Sequence, residues 1–281
     1  MATHPPVHVL DDYYLAITFL ITVAYQLIGF SVAFTYKFDK LTDFMGGSNF
    51  VWLAIITLSL SGTTNARQIV TSIFIMLWAA RLSGFLLFRI LKTGKDDRFD
   101  DKRDKFFSFL GFWIFQMLWV WTVSLPVTIL NSPKVLQYRQ PSFGKATDII
   151  AIIFYVVALT IEAVSDVQKY RFKQSEQGKQ PGAVCNVGLF KYSRHPNYFG
   201  EIMVQVCMSI LMLLLCKVHA HIRSSYLHHG NNTRKLPYHP FQLWRLRCAV
   251  RQHARLDLPH FLVDVLVRPP TPGASRCQEA V

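Results

Sequence analysis

Several apolar stretches of this 281-residue chain are each long enough to cross the hydrocarbon core of a bilayer, which takes roughly 20 residues at helical rise. Charged residues fall mostly between these stretches. Inside hydrocarbon, backbone polar groups must be hydrogen-bonded within the protein, and a helix achieves this locally. The sequence therefore predicts an all-α fold, a polytopic transmembrane helical bundle of about six helices. It predicts an integral, multi-pass membrane protein whose partner is the lipid bilayer.

The predicted helices follow the apolar stretches. They cover residues 13–34, 50–62, 68–91, 106–130, 149–164 and 198–215. Pro126 lies inside the fourth helix, where a membrane helix tolerates proline better than a soluble one does. No Lys or Arg precedes the first stretch, which is also longer than the apolar core of a typical signal peptide, so we interpret it as a membrane helix.

Lys and Arg are distributed unequally between the two sets of predicted loops. Loops 35–48, 92–105 and 165–197 carry 14 of them, whereas the segments on the other side of the membrane carry 4. Cytoplasmic loops are enriched in Lys and Arg. The distribution therefore places the first set of loops in the cytoplasm.

The formal net charge of +13 does not by itself indicate a nucleic-acid partner. Part of the excess lies in short loops beside apolar stretches, where topology and anionic lipid explain it. A nucleic-acid site would need a basic patch on a soluble face. The five cysteines contain no CxxC pair, which argues against a disulfide framework or a cysteine metal site. We predict no nucleic-acid partner and no metal.

The apolar pattern stops at Lys217, after which the sequence is rich in His, Arg and Pro. We therefore predict two regions, a membrane-embedded helical domain over residues 1–216 and an atypical tail over residues 217–281. Seven of the ten histidines lie in the tail without the regular spacing of a helical metal site. Such a composition is typical of disorder. The abrupt change indicates a change of reading frame or splicing near Lys217.

The densest polar segment spans residues 188–201. Pro196 is suited to the first position of a helix, because its φ is fixed and its missing N–H is not needed there. Asn197 and Glu201 are four residues apart and share one helix face. An ionisable group such as Glu201 near the membrane boundary indicates a functional site. Arg194 and His195 add donors on which an anionic cofactor could dock.

A second polar pattern begins with Glu162 and Asp166, again four residues apart, and continues with Lys169, Arg171 and Lys173. Carboxylates accept hydrogen bonds from ribose hydroxyls, and cations pair with phosphate. The pattern is therefore compatible with a nucleotide site.

Both patterns also have a structural interpretation, which the residues alone leave open. The charges after residue 162 are also what an ordinary helix exit carries. The later segment could be a positively charged hairpin at the membrane interface, with Tyr192 and Tyr198 as interface anchors.

Four segments together carry a family resemblance. They are residues 77–84 (LWAARLSG) with Arg89, residues 94–100 (GKDDRFD), Glu162 with Asp166, and residues 188–201 (GLFKYSRHPNYFGE). They resemble the steroid 5-alpha-reductase-like superfamily of membrane oxidoreductases, in its poorly characterised branch. The resemblance covers roughly residues 10–216.

The resemblance implies a bundle of membrane helices that holds NADPH at its cytoplasmic side. The implied reaction is hydride transfer to a polarised carbon–carbon double bond of a hydrophobic, steroid- or lipid-like small molecule. It also implies a role in lipid metabolism, in the endoplasmic reticulum or another endomembrane.

Carried over residue by residue, the resemblance assigns Asp166 as the acidic cofactor-binding residue and Asn197 with Glu201 as the pair beside the nicotinamide. Glu162 stands where the steroid enzymes have asparagine, and Lys173 where arginine is usual. A donor must also stabilise the charge that develops on the substrate carbonyl. The predicted site consists of the catalytic candidates Tyr192, Tyr198 and Glu201 and of the cofactor-binding candidates Glu162, Asp166, Lys173, Arg194, His195 and Asn197.

Two other functions remain open. Membrane methyltransferases of the isoprenylcysteine and phospholipid type bind S-adenosylmethionine at an Arg-His-Pro-x-Tyr turn, which residues 194–198 also show. Members of the reductase superfamily continue past the sixth helix with a segment that completes the cofactor pocket, and this chain has the His/Arg/Pro-rich tail instead. The chain could therefore be an inactive reductase or a non-catalytic, truncated membrane protein.

Overall fold

The computed structural model describes residues 4–37, 41–93, 105–137 and 142–229, the last range with side chains as far as residue 212. The regular secondary structure of these residues is helical. The helices are α1 (Leu15–Thr35), α2 (Leu41–Ser61), α3 (Ala66–Thr93), α4 (Phe106–Leu130), α5 (Pro133–Leu136), α6 (Ala146–Gln174) and α7 (Pro196–His229), with a 3₁₀ helix at Gly188–Lys191. The predicted all-α fold is confirmed.

Five spans among the described helices have the length and apolar composition that crossing a membrane requires. They are Leu15–Thr35, Thr42–Ser61, Ala66–Lys92, Phe106–Leu136 and Ala146–Gln174. The chain is therefore an integral, multi-pass protein of the lipid bilayer.

The predicted start of the second helix is wrong. α2 begins at Leu41, whereas the apolar pattern placed the start at Phe50. Gly46 and Gly47, which interrupt the apolar pattern, are packing positions. A Cβ added to Gly47 would overlap the hydroxyl of Ser83 on α3, and one added to Gly46 would lie 3.0 Å from Nε2 of Gln116 on α4. Small residues allow membrane helices to approach closely, so these glycines belong inside the helix.

The predicted ends of the last two helices are also wrong. α6 continues to Gln174, whereas the apolar pattern ended at Val164. Most polar residues beyond Val164 are Lys, Arg and Gln, which are good helix formers, so the helix can continue into the aqueous boundary. α7 begins at Pro196 and ends at His229, so residues 217–229 of the predicted tail have helical backbone. Residues 230–281, and the motif at residues 94–100, lie outside the described residues.

The described residues fall into two compact units. Unit 1 contains residues 4–156 and 203–218, and unit 2 contains residues 157–202 and 219–229. An aromatic core of unit 1 joins α1, α2 and α4 through Phe30, Ala33, Met45, Phe109 and Trp113. Gly29 lets α1 approach α4, because a Cβ there would lie 2.7 Å from Cζ3 of Trp113.

A buried ion pair joins the amino-terminal ends of α3 and α6 within unit 1. Arg67 donates from Nε to Oδ1 of Asp148 at 3.0 Å and from Nη2 to Oδ2 at 2.8 Å. The Arg67 side chain is 4% exposed and that of Asp148 is 0% exposed. The backbone N–H groups of Gly144 and Lys145 also donate to Oδ2 of Asp148, each at 3.2 Å. The two helices are thus fixed at this end by a pair whose carboxylate accepts four hydrogen bonds.

Candidate functional site

Unit 2 contains all of the predicted site residues. The second half of α6 contributes Glu162, Asp166 and Lys173, and the start of α7 contributes Asn197, Tyr198 and Glu201. The connection between these helices, residues 175–195, contributes Tyr192, Arg194 and His195. Residues that are up to 39 positions apart in the sequence are therefore grouped in one compact part of the chain.

The first turn of α7 lies directly on α6 at Gly200. A Cβ added to Gly200 would lie 2.8 Å from the carbonyl oxygen of Ala158, and equally close to Cβ and N of Glu162. Glycine is thus required for this approach of the two backbones. Glu162 is 2% exposed at this crossing. Asn197 and Glu201 lie on the same turn as Gly200, so the crossing brings their part of α7 to the buried carboxylate of α6.

Local hydrogen bonds fix the start of α7. The N–H of His195 lies 3.3 Å from Oγ of Ser193, and the N–H of Phe199 donates to the carbonyl of His195 at 3.1 Å. Pro196 follows as the first helical residue, as predicted. Oδ1 of Asn197, one position further on, is buried and accepts no hydrogen bond from the described residues. This acceptor is therefore suited to an amide or hydroxyl donor of a ligand.

The connection between α6 and α7 is held on α6 by Gln168. Its Oε1 accepts a hydrogen bond from the N–H of Leu189 at 2.9 Å, at the start of the 3₁₀ helix.

 Gly188, the first residue of this 3₁₀ helix, has a φ of +56°, in the left-handed region that favours glycine. A Cβ at this position would also overlap the Gln168 amide. Phe190 is buried beneath the same turn, so hydrogen bonding and packing both dock the connection on α6.

Lys169 and Arg194 form a basic cluster beside His195 in unit 2. Burial lowers the pKa of His195, and the nearby charges of Lys169 and Arg194 lower it further. Burial raises the pKa of the Cys185 thiol, while a backbone hydrogen bond from Val187 and the charge of Lys169 act in the opposite direction. Lys169 therefore acts on both groups, and the cluster has a positive potential that favours an anionic ligand.

The two candidate tyrosines differ in their surroundings. The Tyr192 side chain is 81% exposed. Tyr198 is half-buried, and its ring stacks on that of His195 with centroids 5.2 Å apart and planes 10° from parallel. Of the two phenols, Tyr198 is the one that the protein holds in a defined orientation.

Three residues outside the predicted site contribute to this geometry. Gly200 allows the helix crossing, Gln168 docks the connection, and Lys169 supplies charge beside His195. Lys169 carried a signal in the sequence as the first cation after the two acids. The roles of Gly200 and Gln168 depend on pairings between distant parts of the chain, which residue spacing does not reveal.

Neither the curated proteins nor the solved structures include a match to the chain. The profile of one family, described as "Protein of unknown function (DUF1295)", matches residues 29–227. The match includes the end of α1, the whole of α2 to α6, α7 as far as residue 227, and the whole of the candidate site. The chain therefore belongs to the DUF1295 family.

Proposed function

We propose that the chain is a membrane-embedded, NADPH-dependent reductase of a carbon–carbon double bond in a steroid- or lipid-like substrate. The observation that carries the proposal is the contact of Gly200 with Glu162, which places the turn bearing Asn197 and Glu201 on α6. The family's association with steroid 5-alpha-reductase-like proteins supports the same function. The endoplasmic reticulum is proposed as its location on the same association.

The charged residues of unit 2 suit the phosphate and ribose groups of NADPH. Lys169 and Arg194 provide positive charge beside His195, and Lys173 is exposed further along α6. Cations of this kind pair with phosphate. Asp166 is half-buried one turn after Glu162 and can accept hydrogen bonds from ribose hydroxyls. This set of cations and an acid fits a phosphorylated dinucleotide.

The start of α7 suits the nicotinamide end. Oδ1 of Asn197 is a buried acceptor for the N–H of a carboxamide. Glu201 lies one turn further along the same face and can orient the same group. When bound, NADPH would supply the hydride. The protein would contribute binding, orientation and the exclusion of water.

Tyr198 is the best candidate for the hydrogen-bond donor to the carbonyl oxygen of the substrate. Reduction of a double bond conjugated to a carbonyl places negative charge on the carbonyl oxygen, and a positioned phenol O–H stabilises it. The stacked ring of His195 restricts the movement of Tyr198. Burial and the nearby charges of Lys169 and Arg194 lower the pKa of His195, which favours the neutral form of the imidazole beside the phenol.

Binding of cofactors by the purified, reconstituted full-length chain tests the proposal. NADPH, NADH and S-adenosylmethionine would be titrated in parallel, with the parent chain and with Lys169→Gln and Asn197→Ala. We expect saturable NADPH binding that Lys169→Gln weakens by about tenfold or more, since hydrogen bonds to charged groups contribute about 1.5–3 kcal/mol. Asn197→Ala should weaken it by about two- to tenfold, since a neutral hydrogen bond contributes about 0.5–1.5 kcal/mol. The matched control is Lys179→Gln, which removes an exposed cation already paired with Glu176 at 3.0 Å. It should leave NADPH binding unchanged.

The other results have definite meanings. Equal effects of Lys169→Gln and Lys179→Gln would contradict a phosphate-binding role for the cluster. Binding of S-adenosylmethionine alone would replace the reductase with a methyltransferase. Binding of none of the three would make the chain a non-catalytic membrane protein. If NADPH binds, its oxidation in the presence of an enone steroid or an enone lipid then tests the reaction itself.

A further inference from the structure

The exposed residues of α6 mark where the helix leaves the hydrocarbon. Val164 and Val167 are exposed and apolar, whereas Arg171 and Lys173 are exposed and charged. The exposed surface of α6 changes from apolar to charged between Val167 and Arg171, within about one turn or roughly 6 Å of helix length. The membrane boundary of unit 2 therefore lies near Gln168.

The connection between α6 and α7 is docked at this same level. Oε1 of Gln168 accepts the hydrogen bond from the N–H of Leu189, and Phe190 is buried beside it. The 3₁₀ helix, which contains Leu189 and Phe190, is therefore held at the boundary between hydrocarbon and water.

The outward-facing side of the connection is apolar as well as basic. Val184, Val187 and Tyr192 are exposed, the last by 81%. Lys191 and Arg194 are exposed beside them. Over residues 168–195 there are six Lys or Arg and one acid, Glu176. Exposed apolar side chains interspersed with cations suit a layer of anionic lipid headgroups, where tyrosine is also enriched.

We propose that residues 184–194 form a lipid-binding surface on the basic-loop side of the membrane, with Val184, Val187 and Tyr192 inserted among the headgroups of anionic phospholipids. Tyr192 is then a membrane anchor, and its phenol does not act in catalysis. This surface does not depend on the reductase proposal, because it rests on the depth of the docked connection and on its charge.

Spin labels on the reconstituted full-length chain test this depth. Single cysteines would replace Val184, Val187 and Tyr192 in turn, with the native cysteines changed to serine. We expect these labels to collide more often with oxygen, which concentrates in the membrane, than with a water-soluble nickel complex. A matched label at Lys179, which is exposed and polar and lies outside the proposed surface, should show the reverse preference.

A second measurement keeps the native cysteines. Tyr192→Trp would be compared with the parent chain for fluorescence quenching by brominated phospholipids, in membranes with and without phosphatidylserine. We expect additional quenching that increases with phosphatidylserine, and we expect Lys191→Gln to reduce this increase. Labels at Val184, Val187 and Tyr192 that match those at Lys179 in aqueous accessibility would overturn the proposal. So would quenching that does not respond to phosphatidylserine.

Discussion

Gly200 lies so close to Glu162 that a Cβ on the glycine would be 2.8 Å from both Cβ and N of the glutamate. The first turn of α7 can meet α6 at this depth only without a side chain. Because Asn197 and Glu201 lie on that turn, their positions beside α6 depend on the missing Cβ.

Gly200→Ala should therefore destabilise the chain and weaken the site. Overpacking of a tight contact costs about 1–3 kcal/mol, and relief of the overlap would move α7 away from Glu162. A lowered thermal midpoint, together with weakened NADPH binding, would be measured on the reconstituted chain. Gly111→Ala is the control, because nothing lies within 4 Å of its Cβ. It should be neutral or slightly stabilising in the helix, and equal losses in the two variants would rule out the close contact.

Asp148→Asn should be strongly destabilising, because it leaves the buried Arg67 guanidinium without its counter-charge. Removing one partner of a buried ion pair costs about 3–5 kcal/mol. The comparison is Arg89→Gln, which breaks a more exposed pair with Asp43 at 3.5 Å and should cost about 0–1 kcal/mol. Thermal unfolding of both variants measures the difference. Replacing both buried partners, as Arg67→Met with Asp148→Leu, should restore much of the loss.

The lowered pKa of His195 predicts a loss of stability in acid. Its folded-state pKa lies below the ordinary value of 6.5, so the unfolded chain binds the proton more readily. The contribution of His195 to the free energy of unfolding is fully present above pH 6.5, and it decreases as the pH falls below that value. Thermal midpoints between about pH 5 and 8 would show this dependence. His195→Gln should reduce the dependence, and an unchanged profile in that variant would show that other groups cause it.

Gly188→Ala should release the connection from α6. The substitution combines an unfavourable backbone angle with an overlap on the Gln168 amide. Gly182→Ala is a matched control, since Gly182 also has a positive φ, of +77°, but nothing within 4 Å of its Cβ. Hydrogen exchange of residues 175–195 should rise more in Gly188→Ala than in Gly182→Ala. Equal increases would mean that the backbone angle alone matters and that contact with Gln168 contributes nothing.

The membrane helices could largely be predicted because their signal is local. An apolar stretch of sufficient length predicts a span, and α1, α3 and α4 begin and end within a few residues of the predicted positions. The same signal failed at the start of α2. Gly46 and Gly47 resemble loop residues in the sequence, but they are needed where α2 packs on Ser83 and Gln116. Such contacts are long-range and leave no periodic pattern.

The candidate site was predictable in its residue types and less so in its geometry. Helical spacing alone placed Asn197 and Glu201 on one face. Nothing in the spacing revealed that Gly200 would meet Glu162, or that Gln168 would hold Leu189. The exposure of Tyr192 and the stacking of Tyr198 on His195 likewise depend on how α6, the connection and α7 pack.

The ion pair between Arg67 and Asp148 also constrains how the protein is made. The two residues are 81 positions apart, so the arginine is synthesised well before its partner. At ordinary rates of translation the delay is roughly 4–16 seconds. During this interval Arg67, which is buried in the folded protein, has been synthesised, whereas the carboxylate of Asp148 has not. The buried pair that fixes the start of α3 to the start of α6 can therefore form only after α6 has been synthesised.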